Sequence, residues 1–260
     1  MKLVDIVRYP LKSGAAQHLR TTQLSSIGIE GDRRFMLAEP SGKFITARKD
    51  PQLLHLDLQV EDGTVSLFRD GELLGTFATS SHDRLNVEVW SRTISVMQIT
   101  EASPLVSELV GREARLVFND AGAKDIAEKR YPWGPILSDG YPLLLTNTAS
   151  LAALDAASGG VFEMSRFRPN LVIDSDTPWQ EDGWTQFRIG YTLFERKKPC
   201  ERCVLTTRDP LTGEKSINQE PLKTLAKIHR GEDGAINFGQ NIAVLEPGII
   251  SVGDTVELID

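Results

Sequence analysis

Cys200 and Cys203 are the only thiols of the chain, set as Cys-x-x-Cys within KPCERCVLTTRDPLTG at residues 198–213. Thiols at that spacing can bind a soft metal, cycle as a dithiol, or pack as small apolar side chains. A structural zinc site needs four ligands, and the other soft donors, His18, His55, His82 and His229, are scattered singly. A thioredoxin-like dithiol opens a helix, whereas Cys203 leads into VLTT, which reads as a β-type run. The surroundings are cationic: Arg196, Lys197, Lys198, Arg202 and Arg208 flank the thiols in a chain with 36 acidic and 29 basic side chains. Cations lower a thiol pKa from about 8.5 toward neutrality and favour thiolate, the form that binds soft metals or attacks electrophiles.

Other basic residues sit in turns. Tyr9-Pro10-Leu11-Lys12-Ser13-Gly14 brings together an ammonium, a hydroxyl and a flexible backbone. Gly31-Asp32-Arg33-Arg34 and Thr46-Ala47-Arg48 add guanidinium groups, and Phe167-Arg168-Pro169-Asn170 adds another between an aromatic ring and a proline. Arginine forks and lysine point charges suit an anionic phosphate, although each alone also suits a surface ion pair. Beside an electropositive thiol they point to a phosphorylated cofactor.

The elements that must position these groups are mostly strands. KLVDIVRY, RRFMLAE, HLDLQVED, VSLFRDGELLGTF, LNVEVW, TISVMQI and ARLVF recur between turn signals such as Ser41-Gly42 and Asp70-Gly71, a spacing that predicts a barrel or sandwich. SPLVSELVG, opened by Ser103 and closed by Gly111, predicts a helix. So do TNTASLAALDAASGG, with a Ser/Thr cap and glycine stop, and EPLKTLAKIH, with Gly231 beyond it. FRPNLVID, FRIGYTLFERKK and IAVLEPGIISVGDTVELI read as further strands. Polar residues 119–135 read as a long connection, dividing the chain into domains at 1–120 and 121–260. The 260 residues suffice for a full core, and a net charge of -7 disfavours nucleic acid or an anionic membrane as partner. MKLVDIVRYP lacks the order of a signal peptide and no apolar run reaches about 20 residues, so the expected location is cytoplasmic, where a structural disulfide is not expected.

YPLKS, GDRRF, TARKDP, LSDGYPLLLTNTASLAAL, FRPNLVI, CERCVLTTRDPLTG and NFGQN before VGDTVEL follow one another along nearly the whole chain. In that order they resemble a MOSC-domain protein preceded by a MOSC N-terminal β-barrel domain, of the amidoxime-reducing type with bacterial relatives that reduce N-hydroxylated compounds. The resemblance implies a β-rich α+β fold: an N-terminal β-barrel-like domain packed on a MOSC β-barrel with a few peripheral helices. It implies a molybdenum cofactor (Mo-molybdopterin), with Cys203 as metal ligand beside the pterin dithiolene and Cys200 not a ligand. Lys12, Ser13, Arg33, Arg168 and Asn170 match positions that hold the pterin and its phosphate, Arg48 is an additional candidate, and Asp139 matches a catalytic acidic residue near the metal. As a bare residue, Asp139 also suits a turn or helix cap.

The implied activity is reduction of a small N-hydroxylated substrate to the amine or amidine. Neither a plant-type cluster motif nor a G-x-G-x-x-G fingerprint occurs, so electrons are expected from a separate iron-sulfur or flavin protein. Two alternatives stand beside this: a cofactor or sulfur carrier using a Cys203 persulfide, and a degenerate structural protein with inert thiols.

Overall fold

The run KLVDIVR forms the strand Lys2–Arg8, with Leu3, Ile6 and Val7 buried. In the computed structural model, which describes residues 1–80, 82–120, 124–125 and 137–259, this strand belongs to the first of two compact units. The first unit comprises Met1–Arg8, His18–Glu30 and Tyr141–Asp260, and the second Tyr9–Gln17 and Gly31–Gly140. This spatial division differs from a single cut at 120/121, because Lys2–Arg8 pairs antiparallel with Leu171–Asp174 and so joins the C-terminal residues.

The first unit is built on one sheet, in the order Val256–Ile259, Gln186–Ile189, Thr192–Glu201, Asn237–Glu246, Leu143–Asn147, Leu171–Asp174, Lys2–Arg8, Gln17–Leu19. Leu3 N donates to Asp254 O at 2.9 Å and Val256 N to Met1 O at 3.0 Å, so the sheet curls until its first strand meets the opposite end. Such closure removes exposed strand edges. Leu143–Asn147 and Leu171–Asp174 run parallel, which requires a crossover, and the helix Thr148–Ser158 lies on it. Leu145, Leu171, Ile173, Phe187, Phe194 and Ile242 fill the interior, and the Phe187 and Phe194 rings stack at 5.2 Å.

The second unit has a sheet in the order Lys124–Asp125, Arg92–Ile99, Arg115–Phe118, Phe35–Ala38, with Arg84–Val89 also paired to Arg92–Ile99. Leu56–Glu61, Thr64–Arg69 and Glu72–Ala78 form a separate antiparallel meander, with the expected turn at Asp70-Gly71. Met36, Val87, Val89, Ile94, Val96 and Val117 make a continuous core. The connection expected at residues 119–135 lies mostly outside the described residues, although Lys124–Asp125 pairs with Ile94 and Ser95.

Three α-helices occur among the described residues, and their ends differ from expectation in instructive ways. Ser103 is the first residue of Ser103–Val110 rather than its cap, because the 3-10 turn Thr100–Ala102 already supplies the preceding turn. Thr148–Ser158 is capped by Asn147, whose Oδ1 accepts from Ala149 N at 3.0 Å, and not by a Ser or Thr. Leu222–Ile228 stops at His229, ahead of Gly231. None of these helices is long and apolar enough to cross a membrane.

Candidate cofactor site

The thiols sit where the long strand Thr192–Glu201 runs out. Its ladder with Asn237–Glu246 shifts register three times, the last between Pro199 and Glu201. Bulges bend a strand, and proline cannot donate to a ladder, so the strand bulges at Cys200 before pairing resumes at Glu201, opposite Asn237. Arg202 N then donates to Ile236 O at 2.7 Å. Its guanidinium donates to Cys200 Sγ at 2.8 Å and to Phe167 O at 2.6 Å.

Cys203 is exposed and Cys200 partly buried, and both are free thiols. The expected β-type run VLTT is instead the 3-10 helix Val204–Thr207, with Cys203 extended at its N-cap. Threonine hydroxyls decide the difference: Thr206 Oγ1 donates to Cys203 O at 3.0 Å and Thr207 Oγ1 to Val204 O at 2.8 Å, closing turns that an extended run would leave open.

Phe167, fully buried, stacks on Phe238 of the NFGQN segment at 3.8 Å. Arg168 follows at φ +53, a left-handed conformation uncommon for a non-glycine residue. Asn170 is 1% exposed and acts on the chain itself: its Oδ1 accepts from Leu144 N at 3.2 Å and its Nδ2 donates to Val7 O at 3.1 Å. The amide ties two strands together just after Arg168.

A second cluster lies within the other unit. Lys12 N donates to Phe35 O and Phe35 N to Pro10 O, seating the YPLKSG turn on Phe35–Ala38. Gly14 is required there, since a Cβ would stand 2.7 Å from Leu11 Cβ and 2.8 Å from Leu56 O. Ser13, with φ +68, is buried in this turn. The Lys12 side chain is 7% exposed; its Nζ donates to Leu137 O at 2.7 Å and pairs with Asp139.

Arg33 donates to Asp32 at 2.6 Å and lies 4.4 Å from the Tyr9 ring, while the other Asp32 oxygen accepts from Tyr9 N at 2.8 Å. Burial works against the Arg33 charge, and Asp32 more than offsets it, so its pKa is raised. Burial pushes the Lys12 ammonium down despite Asp139, with Arg33 and Arg48 adding to that push. Asp139 has 63% of its side-chain surface exposed, yet its carboxyl is crowded by Lys12, Trp90 and Arg48. Desolvation there opposes its charge, but the Lys12 ammonium prevails and holds the carboxyl well below the usual range.

Lys12, Ser13, Arg33, Arg48 and Asp139 are therefore neighbours in one unit, and Cys200, Arg202, Cys203 and Arg168 in the other. Sequence reasoning missed Trp90, which lies 4.6 Å from the Arg48 guanidinium and is among the groups that lower the Asp139 carboxyl. It also missed His229, whose ring stacks on Trp179 at 4.0 Å and joins Asp182 at 2.7 Å. The signal for Trp90 was present: VEVWSRT turns a hairpin without glycine or asparagine.

Residues 136–257 match the MOSC domain and residues 1–113 the MOSC N-terminal beta barrel domain. Mitochondrial amidoxime-reducing component 1 of Mus musculus is 30% identical over 96% of this chain and 80% of that protein. The Homo sapiens protein of the same name is 29% identical over 96% of this chain and 81% of its own length. A molybdenum cofactor sulfurase of Solanum lycopersicum is 26% identical over 91% of this chain, a match spanning 32% of the longer plant protein. With both domain matches in order and similarity to the mouse relative over 96% of this chain, the chain belongs to the MOSC family, with a MOSC N-terminal beta barrel domain ahead of its MOSC domain.

Proposed function

We propose that this protein reduces N-hydroxylated compounds (amidoximes, hydroxylamines and N-hydroxylated bases) to the amine or amidine with a molybdenum cofactor, using electrons from a separate iron-sulfur or flavin protein. The observation that carries this reading is the inequality of the thiols. Arg202 engages the Cys200 sulfur, whereas Cys203 is exposed and, among the described residues, no hydrogen bond reaches its sulfur. One soft donor is thus left available for a metal. The names of the mouse and human relatives point the same way.

The residues suit the cofactor chemically. Cys203 would ligate the metal, Lys12, Arg33 and Arg168 are cations fit for the pterin phosphate, and Ser13 adds a hydroxyl. Asn170 would serve by fixing the backbone beside Arg168. When bound, the cofactor supplies the two-electron exchange that breaks the N–O bond. The balance is one N–OH group, two electrons and two protons giving N–H and water. Asp139, ionised beside Lys12, accepts the hydrogen of a substrate N–OH or N–H and orients it, and its exposed face admits protons from solvent. The free thiols suit a reducing compartment, here the cytoplasm.

The exposed Cys203 thiol also favours a second reading, a carrier of cofactor or persulfide sulfur. Protein made in a host competent for the cofactor should contain molybdenum and pterin, and should reduce an amidoxime with a chemical reductant of low potential. Metal-free protein with transferable sulfur on Cys203 would sink the reductase and leave the carrier.

A further inference from the structure

We propose that the Asp182–His229 pair is a positioning device for the thiol segment: the doubly protonated ring grips the Asn237 carbonyl at the strand end to which Glu201 and Arg202 are joined, and loss of its proton loosens that grip. That the segment serves a metal rests on the reading above; the clamp does not.

Both ring nitrogens of His229 face acceptors. Nε2 stands 2.7 Å from an Asp182 oxygen and Nδ1 3.0 Å from Asn237 O. A neutral imidazole carries one N–H and cannot serve both, so only the imidazolium fills the two bonds. Trp179, stacked at 4.0 Å and 15°, presents the aromatic face on which a cation is favoured. Asp182 is itself held in place: its other oxygen accepts from Gln240 Nε2 at 2.5 Å, and the fully buried Gln240 accepts in turn from Arg196 at 3.3 Å. Among the described residues the charged groups acting on the ring are Asp182 and Glu181, both on the turn Gln180–Gly183, and Glu181 is buried against Asn147 and Ser150. Arg230, next to the ring in the chain, is tied to Ala226 O and Gly234 O. Burial opposes the imidazolium, and the bond to Asp182 outweighs it.

Asn237 carries this grip to the thiols. It opens the strand Asn237–Glu246 and pairs with Glu201, while Ile236 O, one residue earlier, accepts from Arg202 N at 2.7 Å. Cys203 is the next residue. Phe238, fully buried, stacks on Phe167 at 3.8 Å and meets Trp179 edge-on at 5.8 Å. Phe167 O accepts from the Arg202 guanidinium, which also engages Cys200. The contacts therefore close a ring through His229, Asn237, Arg202, Phe167, Phe238 and Trp179. When the proton leaves, the carboxylate, as the stronger acceptor, keeps the remaining N–H, and Nδ1 turns a lone pair toward the Asn237 carbonyl. The strand end then yields, and with it the residues from which Cys203 emerges.

The test follows the cofactor-free full chain by NMR, so a protein that never takes up molybdenum fails the reductase reading and still decides the clamp. Through a pH titration the amide resonances of Glu201 and Arg202 should move with the midpoint of the His229 ring. Asp182→Asn keeps the shape of the partner and removes its charge, so ring and amides should shift to lower pH together. In His229→Gln the movement at that midpoint should be lost, and should that variant not fold, Asp182→Asn decides alone. Amides that stay still while the ring titrates would overturn the proposal. So would amides whose midpoint stays in place when Asp182→Asn displaces that of the ring.

Discussion

The Arg202 guanidinium donates to Cys200 Sγ at 2.8 Å, two residues back in the chain, while its other terminal nitrogen reaches Phe167 O across 35 residues. One side chain thereby secures the first thiol to the barrel unit and leaves the second, Cys203, exposed at the head of a 3-10 helix. Two cysteines in one short motif are thus chemically distinct.

Cys203→Ser should abolish reductase activity and loosen molybdenum, because a neutral hydroxyl is a poor soft-metal donor. Cys200→Ser should retain most of both. Metal content and turnover of the two purified variants check this, and identical behaviour would restore a dithiol mechanism.

Arg168→Ala should purify with less pterin, since a charge-assisted contact to phosphate contributes about 1.5–3 kcal/mol. Its rate per bound molybdenum should stay within about tenfold, because an anchor acting equally on ground and transition states does not change turnover. Arg168→Lys should rescue occupancy only in part, a point charge replacing a fork. Full occupancy with a collapsed rate would place this guanidinium at the reacting atoms instead.

Asp139→Asn leaves the buried Lys12 ammonium without its anionic partner. The expected loss at neutral pH is about 1–2 kcal/mol, less than for a fully buried pair because Asp139 is 63% exposed. Burial already lowers the Lys12 pKa, so the unfolded chain binds the proton more readily and stability rises with pH through the folded value. Urea midpoints of the variant should accordingly recover toward alkaline pH, and a flat profile would contradict the pairing.

His229 has Nε2 2.7 Å from an Asp182 oxygen and Nδ1 3.0 Å from Asn237 O. Both neighbours accept hydrogen bonds, which favours the imidazolium. Burial opposes that charge, but the Asp182 bond prevails and the pKa is raised above 6.5. The linked stability is fully present below the ordinary value and lost as pH rises through the folded one. Denaturant midpoints should fall over that window in the unaltered protein and much less in His229→Gln.

Much of the architecture was legible in the residues themselves. A β-branched run marks Lys2–Arg8 and period-two patterning marks Thr64–Arg69 as strands, Asp70-Gly71 declares a turn, and Gly111 and Gly159 stop two helices in left-handed conformations. These are local properties, decided by backbone sterics and by which face of an element must leave water. The clustering of basic residues around the thiols is equally local.

What only the tertiary structure decided is how those groups are shared out. VLTT reads as extended until threonine hydroxyls close a 3-10 turn behind Cys203. Asn170 matches a cofactor-binding position by resemblance, and the order of neighbouring strands also brings Leu144 N and Val7 O to its amide. Trp90 reads as a strand-end aromatic until packing sets it beside Arg48 and Asp139. In each case the deciding partner is a charge, carbonyl or amide at a contact distance that composition and spacing do not encode. Burial makes satisfying such groups obligatory, and the fold chooses which groups meet.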